Sequence, residues 1–118
     1  MRSWLAASSF GLVVVVAAPA AGHEPSLQEC LEGGDFITHA AQARDHGMTK
    51  AAFLERLVAD VHLIQAFPPE LRWFVVDPDD AEFLHVEAAQ VFEMPQPPET
   101  HRVLFLARCF ERMASGTR

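Results

Sequence analysis

The sequence predicts an all-α domain, a small helical bundle of about four helices whose first and last members are linked by a disulfide. Three observations lead there. Apolar residues recur at three- and four-residue spacings in several stretches, which is the periodicity of a helix with one buried face. Ser, Thr and Asp stand where those stretches must begin, and Gly or Pro marks the joints between them. The two cysteines, Cys30 and Cys109, lie 79 positions apart, near opposite ends of the patterned region.

The elements follow in order. Ser26-Leu-Gln-Glu29 has the form of a capping box, in which the serine accepts from a first-turn amide and the glutamate reaches back. It opens a helix carrying Cys30. Gly33-Gly34 is expected to interrupt that helix, with Asp35 capping its continuation through Phe36, Ile37, Ala40, Ala41 and Arg44 to His46. Gly47 fits the left-handed residue after a last turn. Thr49 then caps the best-patterned helix, with Phe53, Leu54, Leu57, Val58, Val61 and Ile64 on one side and Lys50, Glu55, Arg56 and Asp60 on the other. Pro68-Pro69 stops it near Phe67. Residues 69–76 read as a helical turn or an extended piece, the turn being favoured. Asp77-Pro78 is a cap followed by a first-position proline, with Asp79 and Asp80 near the positive helix end. The helix it starts buries Ala81, Leu84, Ala88, Val91 and Phe92. Met94 to Pro98 forms a stiff connector. The last helix, from about Glu99 to Met113, places Phe105, Leu106, Cys109 and Met113 on one face.

Residues 1–22 are of a different kind. Arg2 precedes an uncharged apolar run from Trp4 through Val13–Val16, and Pro19 follows with the small residues Ala18, Ala20, Ala21 and Gly22. That is the form of a secretory signal peptide; a retained anchor is the alternative, and Pro19 with Ala18-x-Ala20 favours cleavage. Residues 23–118 are expected to form a single α-helical domain, periplasmic or secreted from a bacterium, with no stable membrane insertion after cleavage. Both cysteines fall in the exported part, where an oxidising compartment allows one intramolecular pairing, Cys30–Cys109. Closing so long a loop constrains the unfolded chain by up to ~4.5 kcal/mol.

The chain of 118 residues carries 16 acidic and 9 basic residues, a formal net charge of −7. Nucleic acids and anionic membranes demand clustered Lys and Arg, which are missing, so neither is an expected partner. The charge is unevenly placed. Residues 101–118 hold four arginines and one glutamate, whereas residues 23–100 hold 4 basic and 15 acidic residues. A basic closing helix lying across an acidic body follows, although Arg108 and Arg112 could also answer their helix dipole.

Cys30, then Ile37-x-x-Ala40-x-x-x-Arg44-Asp45-x-Gly47, a second amphipathic helix, a proline-marked joint and a closing Phe105-x-x-x-Cys109 resemble small exported bacterial proteins of an uncharacterised family with a single disulfide. The resemblance implies export, helices and the disulfide. It carries no activity.

Catalytic chemistry finds little support in the sequence. His85-Val-Glu87 has the His-x-Glu form of zinc deaminases without the downstream Cys pair. Arg44, Asp45 and His46 are consecutive, so on a helix they diverge by about 100° each; they read as the polar end of a helix. No phosphate loop or nucleophile elbow is present. The six histidines, His23, His39, His46, His62, His85 and His101, read as solvated or helix-end residues rather than a metal site. No catalytic residue, metal or cofactor is expected. Leu71 to Val76 stands out instead, because Arg72, Trp73 and Phe74 are residue types that anchor protein interfaces or cap a core. The expected function is a non-enzymatic binding or interaction protein with an unidentified protein partner. The alternatives are an acid-stress chaperone of the periplasm, loosened when six histidines and 16 carboxylates take up protons, and a copper-binding protein using an N-terminal His23.

Overall fold

The computed structural model describes residues 23–73 and 75–115, so the predicted signal peptide lies outside the described residues. Helix α1 spans Leu27–Asp45, α2 Lys50–Ile64, α3 Pro78–Glu93 and α4 Pro98–Ser115, with a three-residue 3₁₀ turn at Pro69–Leu71. The described residues contain no strand, and none of their helices is long and apolar enough to cross a membrane.

The helix ends form where the local chemistry demands them. Ser26 Oγ accepts from the Glu29 amide at 3.1 Å while Glu29 accepts from the Ser26 amide at 2.9 Å, so the capping box is closed. At the far end of α1, Gly47 sits at φ +102° and its N–H donates to Arg44 O, while the Met48 N–H donates to Ala43 O. Those two bonds are the Schellman closure that only a left-handed residue permits at low cost. Thr49 caps α2 through the Ala52 amide. The α2 helix ends at Ile64, three residues before Phe67, yet tight turns continue it: the Ala66 and Phe67 amides donate to Leu63 O and Ile64 O. Asp77 caps α3 in a second capping box with Asp80, and Pro78 occupies its first turn. Pro98 begins α4, one residue earlier than expected.

Helix α1 packs chiefly on α4, and the Cys30–Cys109 disulfide joins them at a Cα–Cα distance of 5.7 Å. One expectation fails here. Gly33-Gly34 does not interrupt α1, which runs unbroken through both, and Asp35 caps nothing but pairs with Arg102 of α4. The glycines serve packing. A Cβ on Gly33 would lie 2.5 Å from Phe105 Cζ, and one on Gly34 would lie 3.3 Å from both Arg102 Nη1 and Leu106 Cδ2. Helix propensity lost at the two positions, about 1 kcal/mol each, is offset by letting the fully buried Phe105 lie directly on the α1 backbone.

Helix α3 closes the third side of this core with Leu84, Ala88 and Val91, while Ala81 and Phe92 are only partly covered. Helix α2 is the outlier. Its pattern predicts a buried face of six residues, but only Leu57 is fully buried; Phe53, Leu54, Val61 and Ile64 are half covered and Val58 is 56% exposed. A chain of aromatic contacts holds it: Phe36 to Phe53 at 5.7 Å and Phe53 to Phe92 at 5.5 Å.

Replacing Gly33 with Ala is expected to destabilise the protein in spite of alanine's better helix propensity. The methyl group would be forced into a ring that has no room to move, an overpacking cost of about 1–3 kcal/mol, which exceeds the propensity gain. Thermal unfolding should fall by several degrees.

Candidate functional site

Two places concentrate polar or uncovered apolar groups, and the first is built around the start of α3. Asp80 faces the core because it is in phase with Leu84, Ala88 and Val91 on that helix, and it is fully buried. Its carboxylate is nonetheless saturated. Oδ1 accepts from Arg112 Nη2 of α4 at 2.9 Å, and Oδ2 accepts from the Val76 amide and from His23 Nδ1, both at 3.1 Å. The Arg112 guanidinium also lies over the Phe83 ring, 4.6 Å from its centroid. His23 engages two further carboxylates: its backbone N–H donates to Asp77 Oδ2 at 2.6 Å, and Nε2 stands 3.4 Å from Glu29 Oε1.

The two aspartates respond in opposite directions. Burial, reinforced by the neighbouring Asp77 charge, raises the Asp80 carboxyl above its ordinary 3.8. Asp77 also loses solvation, but amide donors from His23, Asp80 and Asp79 outweigh that loss and hold it below 3.8. On acidification Asp80 therefore accepts its proton first, which favours the fold. Protonation of Asp77 follows at lower pH and removes stability.

The arginines of α4 show how the basic closing helix meets the acidic body. Arg102 pairs with Asp35 of α1, Arg108 with Glu87 of α3 and Arg112 with Asp80 of α3. Arg108 Nε reaches both Glu87 oxygens, at 2.9 and 2.7 Å, and Glu87 is almost completely buried. Arg108 and Arg112 thus have specific carboxylate partners beyond any helix-dipole effect.

His101 corrects another expectation, for it is neither solvated nor a helix-end residue in water. It is 7% exposed, and its Nε2 accepts from the Gln96 amide at 3.0 Å with Arg44 Nη1 at 3.1 Å. Arg44 in turn donates to Val91 O and Gln96 O, each at 2.7 Å, so it ties the end of α1 to the connector between α3 and α4. His39, His46 and His62 are exposed, and no group of three metal-ligating side chains occurs among the described residues.

The joint singled out by the sequence is folded back on α1. Arg72 donates to Phe67 O at 2.6 Å and to Val76 O at 3.1 Å, bracing the loop. Trp73 adopts φ +54°, donates its indole N–H to Glu32 at 2.8 Å and meets Phe36 edge-on at 6.3 Å. Phe74 lies outside the described residues. Arg72 and Trp73 are both used in closing this joint.

The second place is an open cleft of about 370 Å³ between α2 and α3. Leu57, Val58 and Val61 form one wall and Pro78 and Ala81 the other, with His62, Glu82 and His85 at the rim. Small Ala81 opposite the valines leaves the depression unfilled. The sequence missed this cleft because periodicity identifies an apolar face and says nothing of how completely a neighbour covers it.

The class these features define is an all-α fold of four helices with α1 and α4 joined by a disulfide. No family model matches the chain, and no curated protein or solved structure is detectably similar to it.

Burial and the adjacent Arg44 and Arg108 charges lower the His101 imidazole below its ordinary 6.5. The unfolded chain then takes up a proton near pH 6.5 that the folded chain refuses, so stability falls from that pH downward until the lowered value is passed. Thermal unfolding measured between pH 7 and 5 should show this decline, and His101→Gln should remove its contribution.

Proposed function

We propose that the protein is an exported, non-enzymatic interaction protein that binds an apolar partner segment along the α2–α3 cleft. The observation that carries this reading is the incompletely covered apolar stripe of α2. Val58 is 56% exposed at the cleft, and Leu63, Phe67 and Leu71 are 66%, 52% and 65% exposed further along the same stretch of chain. At the cleft itself Leu57, Val58, Val61 and Ala81 form an apolar floor with His62, Glu82 and His85 at its rim, an arrangement typical of a contact surface. An amphipathic helix of a partner fits such a groove through apolar anchors spaced at helical intervals. Export is supported by the form of residues 1–22 and by the disulfide, which persists in an oxidising compartment.

The test uses a surface-sensitive dye. The native protein at pH 7 should bind anilinonaphthalene sulfonate saturably, and Val58→Asp should weaken that binding several-fold at unchanged thermal stability. Loss of no affinity in Val58→Asp would place the apolar contact elsewhere and defeat the reading.

One observation favours a second reading, an acid-loosened chaperone of the periplasm. Buried His101 supports the junction of α1, the connector and α4 in its neutral form, so acid works against that junction. Dye binding should then increase as the pH is lowered from 7 to 3. A flat response over that range is the result that sinks this alternative.

A further inference from the structure

Three carboxylates converge on His23 through three different nitrogen atoms. Asp77 takes the backbone N–H at 2.6 Å, Asp80 takes Nδ1 at 3.1 Å, and Glu29 stands 3.4 Å from Nε2. Against these three negative groups the described residues supply the Arg112 guanidinium, on Asp80, and the His23 imidazole, between Asp80 and Glu29, while Asp77 is met by backbone N–H groups. The site is short of positive charge. It also lies partly out of water, since Asp80 is fully buried and His23 is half covered, and there a carboxylate without a countercharge is costly. The N–H to Asp77 contact, at 2.6 Å, is shorter than a typical neutral amide bond of about 2.9–3.0 Å and places the His23 nitrogen directly on a carboxylate oxygen.

The sequence offers a source for the missing charge. Two small-x-small patterns end the apolar leader: Ala18-Pro19-Ala20 and Ala20-Ala21-Gly22. Cleavage after Ala20 leaves an uncharged amide at His23, whereas cleavage after Gly22 leaves its nitrogen as the chain terminus. We propose that the Gly22–His23 bond is the processed bond and that the freed α-ammonium of His23 docks on Asp77, completing the carboxylate site at the start of α3. This rests on the export reading above. Water supplies the atoms: its hydroxyl joins the Gly22 carbonyl, which leaves as a carboxylate on the leader. The His23 nitrogen gains the protons that make it an ammonium at neutral pH. The peptidase belongs to the export machinery and reads the small residues before the bond.

Docking makes maturation part of folding. The new terminus ties the segment before α1 to the α3 cap, while the imidazole of the same residue engages Asp80 and Glu29. A leader still attached withholds that charge from the site.

The chain contains a single lysine, Lys50, so a processed protein presents only two amines to an acylating reagent. The full 118-residue chain is produced in a host with an export pathway, and the exported protein is weighed intact and labelled at pH 7 with limiting acylating reagent. A mass beginning at His23 is expected, with its α-amine labelled about tenfold more slowly than in Asp77→Asn, while Lys50 labels equally in both. Asparagine keeps the helix cap, so the variant removes the charge without removing the fold's local closure. An exported chain beginning at Ala21 or elsewhere overturns the inference and leaves export standing. A chain beginning at His23 whose α-amine labels equally fast in both proteins overturns the docking. A chain that keeps its leader overturns both the inference and the export reading.

Discussion

Among the described residues the most extensive contact between two helices is that of α1 with α4, and the remaining structure is arranged around it. Gly33 and Gly34 remove two side chains from α1, so the Phe105 ring rests on its backbone and Leu106 and Arg102 pack beside it. One turn before Gly33 the Cys30–Cys109 disulfide fixes the pair covalently, and one turn after it the fully buried Ile37 continues the same face. A domain of this size has a short list of completely buried side chains, so stabilisation from burial alone is modest. The disulfide adds to it chiefly by restricting the unfolded chain. Close packing and covalent closure act at the same place. Helix α3 then has only one orientation in which Leu84, Ala88 and Val91 fill the remaining side.

Charge fixes how α4 lies within that arrangement. Arg102, Arg108 and Arg112 each meet a carboxylate on another helix, two of them on α3 at buried acids. Partly buried pairs of this kind contribute little net stability, because desolvation consumes most of the attraction. Mispairing is what they penalise. Rotating α4 by one residue would leave Asp80 and Glu87 ionised in the core without a guanidinium. Asp80 adds a second constraint, since the carboxylate that closes the α3 capping box on the Asp77 amide also receives Arg112 and His23.

Much of this was legible in the sequence, because the Ser26 capping box, the Thr49 and Asp77 caps and the Gly47 closure are set by chemistry local to a few residues, and two cysteines allow only one intramolecular pairing. The failures share a cause. Gly33-Gly34 reads as a helix breaker on propensity, and only the partner ring of Phe105 reveals it as a packing device. Asp80 reads as a helix-end acid and Glu87 as part of a His-x-Glu pair, yet both are in phase with Leu84, Ala88 and Val91, and Arg108 and Arg112 sit four residues apart on the helix that covers them. His101 is likewise four residues before buried Phe105 and eight before Cys109. A titratable residue in phase with an apolar stripe, with an opposite charge in phase on another stripe, is a signal for a buried pair. For α2 no such signal exists, because its six apolar positions cannot show how many of them a neighbour will cover.

The uneven burial has consequences for how the molecule opens. Helices α1 and α4 are held by the disulfide and by side chains with no exposed surface, and α3 joins them through buried ion pairs. Helix α2 has one buried residue, Leu57; beyond it the helix is held by the half-covered Leu54, Val61 and Ile64, the Phe36–Phe53–Phe92 contacts and the exposed Lys50–Glu93 pair. An exposed pair of that type contributes only ~0–1 kcal/mol, and with the fewest buried residues of the four helices α2 is the one expected to open at the lowest cost. Movement of α2 would widen the cleft and leave the Gly33–Phe105 contact, between α1 and α4, in place. The apolar stripe that leaves α2 weakly held is the same stripe that faces the cleft, so a partner covering it would supply the burial that α3 does not. On the reading proposed above, binding such a partner would also fix α2, and its affinity would carry that cost.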